Sequence, residues 1–429
     1  MSLPSHHSNG HQGLAPSCSS GTLFNGFFSN GNKWTPVKKG LLDSRARSVF
    51  DLMGRACEAD MYPYQAALES RSGPRVQLEG RNMLMLSSYD YLGLIGHPDV
   101  DAAAIQAIRK YGTGTGGVRM LTGTNVLHHE MERELADFKG MPEAITFSSG
   151  YLANLAILSA LLTPADKVIL DSLSHRSLVD ACHLAGVPLL RFRHNDPDSL
   201  EQQLNTAPFG RRTLIIADGV YSMDGDICPL PDLIALKKKH NCFLMIDESH
   251  SFGVLGATGR GVDEHFGCAT QDVDLWTGSL AKAIPSNGGY AAVSQDVAIY
   301  LQHAAAPFIF SAALCPAAVG AVRASISILQ AEPERVTRLR QNAEFMRNGL
   351  RDAGYDIGLS ATPVIPVILR DEPTAAAFAR SLRDRDILVT PVLFPAVPHG
   401  TARLRLCVTA EHSRQDLEYA LTAFRQLQT

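Results

Sequence analysis

Five polar groups, each following a short apolar run, carry the chemistry this sequence offers. After residues 144–147 come Ser149, Gly150 and Tyr151, and after 167–171 comes His175. Residues 214–218 lead to Tyr221 and Ser222. The run 242–247 ends in Asp247-Glu248-Ser249-His250, and 273–277 precedes Ser279 and Lys282. If the runs are strands of an open α/β sheet, the groups share the edge beyond its carboxyl ends, where such sheets bind ligands. Together they suit a phosphorylated pyridine aldehyde. A helix opening at Ser149-Gly150-Tyr151 offers free N–H groups and a positive dipole end to a phosphate, with the Ser279 hydroxyl as a further donor. Asp247 can pair with a protonated pyridine nitrogen, and His175 can stack on the ring. Ser222 and His250 can hydrogen-bond a phenolic oxygen. Lys282 is the amine that would condense with the aldehyde, made nucleophilic by burial.

Taken singly, each group has a plainer reading. A lone histidine is more often structural, and a lysine within Ser-Leu-Ala-Lys-Ala reads as a solvated helix position. Asp-Glu-Ser-His after a strand resembles a helicase box, yet no G-x-x-x-x-G-K-[ST] loop exists here. It also resembles a metal pair, but no further His or Cys stands at ligand spacing, so no metal is expected. The glycine run 112–117 follows a helical segment, not a strand, so it is no dinucleotide loop. The coincidence of all five groups favours the cofactor reading.

Positioning them requires alternating strands and helices, hence a mainly parallel sheet with helices on both faces. Helical spacing marks 101–111, 151–162, 231–240, a long helix over 321–354, then 374–385 and 413–427; strands are expected at 364–369, 388–393 and 404–408. The chain divides into a mobile extension (1–43), a helix-and-strand segment (44–97), a large cofactor domain (98–320) and a small α+β domain (321–429). Phe24, Phe27 and Phe28 lie in the extension. With 429 residues and a formal net charge of −4, nothing points to nucleic acid or an anionic membrane. No apolar run reaches the roughly 18 residues of a spanning helix. Eight scattered cysteines without a CxxC pair, and no signal peptide, suggest reduced thiols in the cytoplasm.

Longer motifs carry a resemblance. They include Ser-Ser-Tyr-Asp-Tyr-Leu-Gly-Leu (87–94), Gly-x-Gly-x-Gly-Gly-Val-Arg (112–119) and Phe-Ser-Ser-Gly-Tyr-x-Ala-Asn (147–154). Arg-His-Asn-Asp (193–196), Gly-Val-Tyr-Ser-Met-Asp-Gly-Asp (219–226), Asp-Glu-Ser-His-Ser-Phe-Gly (247–253) and Thr-Ala-Arg-Leu-Arg-Leu (401–406) extend it. Over residues 45–425 the chain resembles the α-oxoamine synthases, fold-type I enzymes dependent on pyridoxal 5'-phosphate. The resemblance implies a large domain with a mainly parallel seven-stranded sheet, and Lys282 as the Schiff-base lysine. It implies His175 as the stacking residue, Asp247 as the nitrogen partner, and His250 and Ser222 on the phenolic oxygen. Arg405 falls where the amino acid's α-carboxylate is gripped. A homodimer is implied, with residues 112–123 and 308–316, including Ser311, reaching the neighbour's cofactor. The implied reaction joins an amino acid to an acyl-CoA or acyl-carrier-protein thioester, giving an α-amino ketone, CO2 and a free thiol. Another fold-type I enzyme, such as an aminotransferase, would share Lys282 and Asp247. An idle accessory subunit is the other alternative.

Departures narrow the substrates. Tyr89 stands where several branches have Asn and bacterial serine palmitoyltransferases have Tyr. Ala59-Asp60-Met61 replaces a basic run that holds a distal carboxylate in the biotin-pathway branch. Val118 would restrict the amino acid's side chain. These point to glycine, alanine or serine and an apolar acyl chain. Ser311-Ala312-Ala313 lacks a hydroxyl that the phosphate-reaching segment commonly carries.

Overall fold

The structure is a computed structural model and describes residues 42, 44–58, 62, 64–206 and 212–428. Residues 1–41, with Phe24, Phe27 and Phe28, and the run 59–61 lie outside the described residues, so the expectations placed there meet no structural counterpart.

Seven strands form the central sheet: β3 (Glu143–Phe147), β4 (Lys167–Asp171), β5 (Leu189–Phe192), β6 (Thr213–Asp218), β7 (Phe243–Asp247), β8 (Leu275–Ala281) and β9 (Pro285–Val293). Their order is β3-β9-β8-β7-β6-β4-β5, and β9 alone runs antiparallel to its neighbours. The carboxyl ends of the other six therefore share one edge. Strands β4 and β6 are buried along their whole length, because helices cover both faces and leave no polar side. Two strands, β5 and β9, have no counterpart in the sequence reading. In β9, Pro285, Gly288 and Gly289 mimic a loop. The expected 273–277 strand instead runs on to Ala281, which removes the helix reading of Ser-Leu-Ala-Lys-Ala.

The remaining strands are β1 (Arg75–Leu78), β2 (Arg81–Met85), β10 (Val364–Arg370), β11 (Ile387–Leu388), β12 (Pro391–Val392) and β13 (Ala402–Cys407). The single strand expected over 388–393 is thus two short pieces. β11 pairs with β2, and β12 pairs with β13. Leu84 and Leu86 share one core with Ile365, Leu404, Leu406 and Phe424, so the N-terminal hairpin packs into the C-terminal α+β unit. The helix expected over 321–354 is two, Pro316–Ala331 and Glu334–Asp352, because Pro333 cannot donate into a continuing helix. Pro316–Ala331 lies against Pro98–Tyr111 so closely that a Cβ at Gly320 would come 2.7 Å from the Ala103 carbonyl oxygen. This helix runs across position 320/321.

Candidate active site

Lys282 occupies the tip of the β8–β9 hairpin. Ala281 pairs with Pro285, and the pairing slips between Ser279 and Ala281, an irregularity that re-aims side chains. The next two turn residues, Ala283 and Ile284, are buried and fix the turn. Burial lowers the Lys282 pKa to about 8; Asp247 opposes that shift and Arg405 adds to it. Among the described residues no hydrogen bond or ion pair holds its Nζ.

Asp247 ends β7, level with Asp218 of β6 and Thr277 of β8. Its Oδ2 accepts from Asn154 Nδ2 at 2.7 Å and its Oδ1 from the Ser249 N–H at 2.9 Å. Asn154 also donates to Ser177 Oγ (2.9 Å) and accepts from Thr277 Oγ1 (2.9 Å). Ser177 Oγ is 2.8 Å from His175 Nδ1, so one hydrogen-bonded chain joins Asp247 to His175. The His175 N–H donates to Asp218, whose pKa rises well above the usual range through burial and the nearby Asp247. His175 itself is held below its usual pKa by the enclosing protein and by Lys282, with Asp247 opposing.

His250 is buried, with Nδ1 2.8 Å from Tyr91 OH. Burial, then Lys282, Arg405 and His175, hold its pKa well below 6.5, so the ring is neutral. Burial also keeps the Tyr91 proton in place. A Tyr91 proton given to Nδ1 leaves the ring's own proton on Nε2. Tyr89 meets His250 edge-on at 5.7 Å, and its face carries the Arg405 guanidinium at 4.5 Å. Arg405 is buried on β13, and its Nη2 lies 3.5 Å from Cys407 Sγ. No carboxylate pairs with it among the described residues. A cavity of about 450 Å³ opens beside Arg405 and Tyr89, walled by Tyr64, Met223, Val392, Leu393 and Phe394 among others.

The helix Gly150–Leu161 begins where β3 ends, capped by Ser149 Oγ, which accepts from the Leu152 N–H at 3.1 Å. A Cβ on Gly150 would come 3.0 Å from that of Ser279, and one on Gly289 would fall 2.5 Å from the Gly150 Cα. The helix start is thus pressed against β8 and β9. The Tyr151 hydroxyl points elsewhere, donating to Asp180 at 2.5 Å, so only its backbone faces the helix end. Ser311 Oγ lies 3.1 Å from Ser148 Oγ of the same chain. Ser222 sits half-buried in the turn after β6. Val118 bridges Ala312 and is not in the wall of the Arg405 cavity. An amine of lowered pKa, a buried carboxylate held by an amide, and a helix start that admits close approach fit pyridoxal phosphate.

Residues 81–424 match the family described as aminotransferase class I and II. The 8-amino-7-oxononanoate synthase of Exiguobacterium sibiricum is 43% identical over 86% of this chain and 95% of its own length. The serine palmitoyltransferase of Bacteriovorax stolpii is 39% identical over 93% of each. The solved structure of a lysine-to-alanine variant of a serine palmitoyltransferase from S. paucimobilis, with a pyridoxal phosphate–myriocin aldimine bound, superposes with a TM-score of 0.87 at 34% identity, covering 90% of this chain and 98% of that one. The chain belongs to the α-oxoamine synthases.

As an α-oxoamine synthase it is a pyridoxal-phosphate-dependent acyltransferase that condenses an amino acid with an acyl thioester and releases CO2. Several residues around this synthase's site escaped the sequence reading as individuals. Tyr91 and Asn154 stand inside the 87–94 and 147–154 motifs, and Ser177 in Leu-Ser-His-Arg-Ser-Leu (173–178), with no role of their own legible there. Asn154 did leave a trace, as the lone amide in the mostly apolar helix Gly150–Leu161. Arg119, which closes the 112–119 motif, and Glu132 of the helix Val126–Lys139 have a structural task. They form a buried bidentate pair at 2.6 and 2.8 Å that anchors the 112–123 loop to Thr146 of β3.

Proposed function

We propose that Lys282 carries the cofactor, and that Arg405 grips the α-carboxylate of glycine, alanine or serine. The second substrate is an apolar acyl chain on CoA or a carrier protein. The buried guanidinium without a carboxylate partner, beside a largely apolar cavity, carries this reading. A desolvated arginine lacking its anion is a ready site for a planar carboxylate. Among the described residues Arg405 is the only charged side chain in that wall, which favours an uncharged acyl tail over a dicarboxylic one. Bound pyridoxal phosphate supplies an electron sink that makes the amino acid's α-carbon nucleophilic. Asp247, kept in place by Asn154, holds a proton on the nitrogen end of the ring. His175 covers one ring face. Ser222 and His250 Nε2 donate to the phenolic oxygen. Lys282 Nζ, its pKa lowered to about 8 so that a fraction is neutral at physiological pH, takes the α-proton. Ser149, the backbone of Gly150 and Tyr151, and Ser279 receive the phosphate. Tyr89 orients Arg405.

A second copy of the chain completes the site. Leu121 (78% exposed) and Phe310 (81%) on the loops, and Val126 at the start of the helix Val126–Lys139, are large apolar side chains left open. The Val118–Ala312 bridge and an Ala313 N–H to Gly117 oxygen bond hold those loops together. Val118 and Ser311 would then serve the neighbouring site, where Val118 sets the size limit on the amino acid. No disulfide joins Cys182, Cys228, Cys242, Cys268, Cys315 or Cys407, which suits the cytoplasm. Amino acids added singly should shift the visible absorbance of the holoenzyme only when small, and equal shifts with bulky ones would end the size argument. Thiol release should be fastest with uncharged acyl thioesters. Arg405→Lys should raise the amino-acid KM roughly ten- to a hundredfold, the scale of a lost bidentate charge-assisted contact, and leave the thioester KM near its normal value.

A further inference from the structure

Behind the residues that face the cofactor space, one charged cluster has no task in the scheme above. His194, of the Arg-His-Asn-Asp motif, lies between two carboxylates. Its Nδ1 is 3.0 Å from Asp171 Oδ1 and its Nε2 is 2.6 Å from Asp226 Oδ2. Ionised carboxylates only accept, so both ring nitrogens must donate and the imidazole is a cation. Burial opposes that charge, but Asp171 and Asp226 outweigh it and raise the pKa to about 10. The ring also meets Tyr221 edge-on at 4.4 Å.

Each carboxylate belongs to a segment that reaches the cofactor. Asp171 ends β4, accepts the Leu173 N–H at 2.8 Å, and so shapes the Leu173–Ser174 step into His175. Asp226 closes the turn that bears Ser222, its carbonyl oxygen accepting the Tyr221 N–H at 3.1 Å. Asn195 ties the same two groups again, through its N–H to Asp171 (2.9 Å) and its Nδ2 to Asp226 (2.9 Å). Three backbone segments thus meet on one imidazole ring.

We infer that His194 is a positioning residue that sets the distance between the His175 loop and the Ser222 turn, and so fixes two cofactor contacts against each other. This rests on the reading of His175 and Ser222 as cofactor contacts. His194 touches neither cofactor nor substrate itself.

The test compares wild type, His194→Gln, His194→Gln with Asp226→Asn, and Ser222→Ala. Three properties are read: apoprotein affinity for pyridoxal phosphate, the pH midpoint of the holoenzyme's visible absorbance, and apoprotein melting temperature. His194→Gln should weaken cofactor affinity about tenfold, the scale of one charge-assisted hydrogen bond, and move the pH midpoint. Adding Asp226→Asn should restore much of the melting temperature by removing one of two facing carboxylates, while affinity stays low. A lower melting temperature with unchanged affinity and unchanged midpoint would reduce His194 to a structural role and overturn the inference. Restoration of all three properties in the double variant would also overturn it, since charge repulsion alone would then be the cause. If His194→Gln does not fold, Asp226→Asn alone retains the ring and one partner, and unchanged affinity there overturns the inference equally. Ser222→Ala separates the two layers. If it leaves affinity and midpoint unchanged, the Ser222 contact fails and the inference with it; if it alters them while His194→Gln does not, only the positioning role fails.

Discussion

Lys139 and Lys282 lie near one strand end and serve opposite purposes. Glu248 and Asp247 are consecutive, so their side chains leave the end of β7 in different directions. Toward Glu248, Lys139 is fully enclosed: 2.6 Å from Glu248, 2.8 Å from Asp263, 3.2 Å from the Arg260 carbonyl oxygen and 3.6 Å above the Trp276 ring. Its Nζ donates to Asp263 and to the Arg260 carbonyl oxygen, and the Glu248 carboxylate balances its charge. Toward Asp247, Lys282 has carboxylates close enough to influence its charge but none bonded to it. A lysine whose charge is held by two enclosed carboxylates is a pin in the core. One enclosed without partners is driven toward its neutral form and becomes a nucleophile.

Three changes would break or sharpen that contrast. Lys282→Ala should abolish the holoenzyme's visible absorbance and lower turnover by roughly a thousandfold or more, with folding intact; absorption spectra and thiol release would show it, and a surviving band would mean that another group carries the cofactor. Lys139→Met should do the reverse. It strands two buried carboxylates and should cost about 3–5 kcal/mol of stability, measured by denaturant unfolding, while any protein that stays folded keeps its absorbance. The smallest effect concerns pH. The Lys282 pKa of about 8 in the folded chain lies below the roughly 10.4 of an unfolded lysine, so holding its proton costs stability. That cost is complete below about pH 8, shrinks as the pH rises toward 10.4 and then vanishes. Apoprotein bearing Lys282→Met should therefore melt above wild type at pH 7, with the gap closing toward pH 10. A constant gap would show that packing, not charge, separates them.

The strand ends were legible because each pairs an apolar run with an abrupt polar residue. Asp247 and Asp218 needed nothing more than that pattern. The hairpin that presents Lys282 was not legible, since β9 is built from residues that ordinarily end strands. Its glycines answer to Gly150 and Leu314, which lie far away in the chain. Partnerships were hidden for the same reason: nothing near Tyr91 announces His250, and nothing near Asn154 announces Asp247. The Asp-Glu-Ser-His run also reads as one unit, although Glu248 turns away to Lys139. Local order reveals which groups end a strand, but not which way consecutive side chains point once the strand stops.

The contact of Gly150 with Gly289 and Ser279 has a further use. No side chain of any kind fits at Gly289 without moving the backbone of Gly150 and the carbonyl of Ser149. A survey of random variants scored only for whether they fold would leave Gly150 and Gly289 as paired blanks, 139 positions apart in the chain. Those blanks would mark the cofactor's phosphate end with no ligand, substrate or assay at hand.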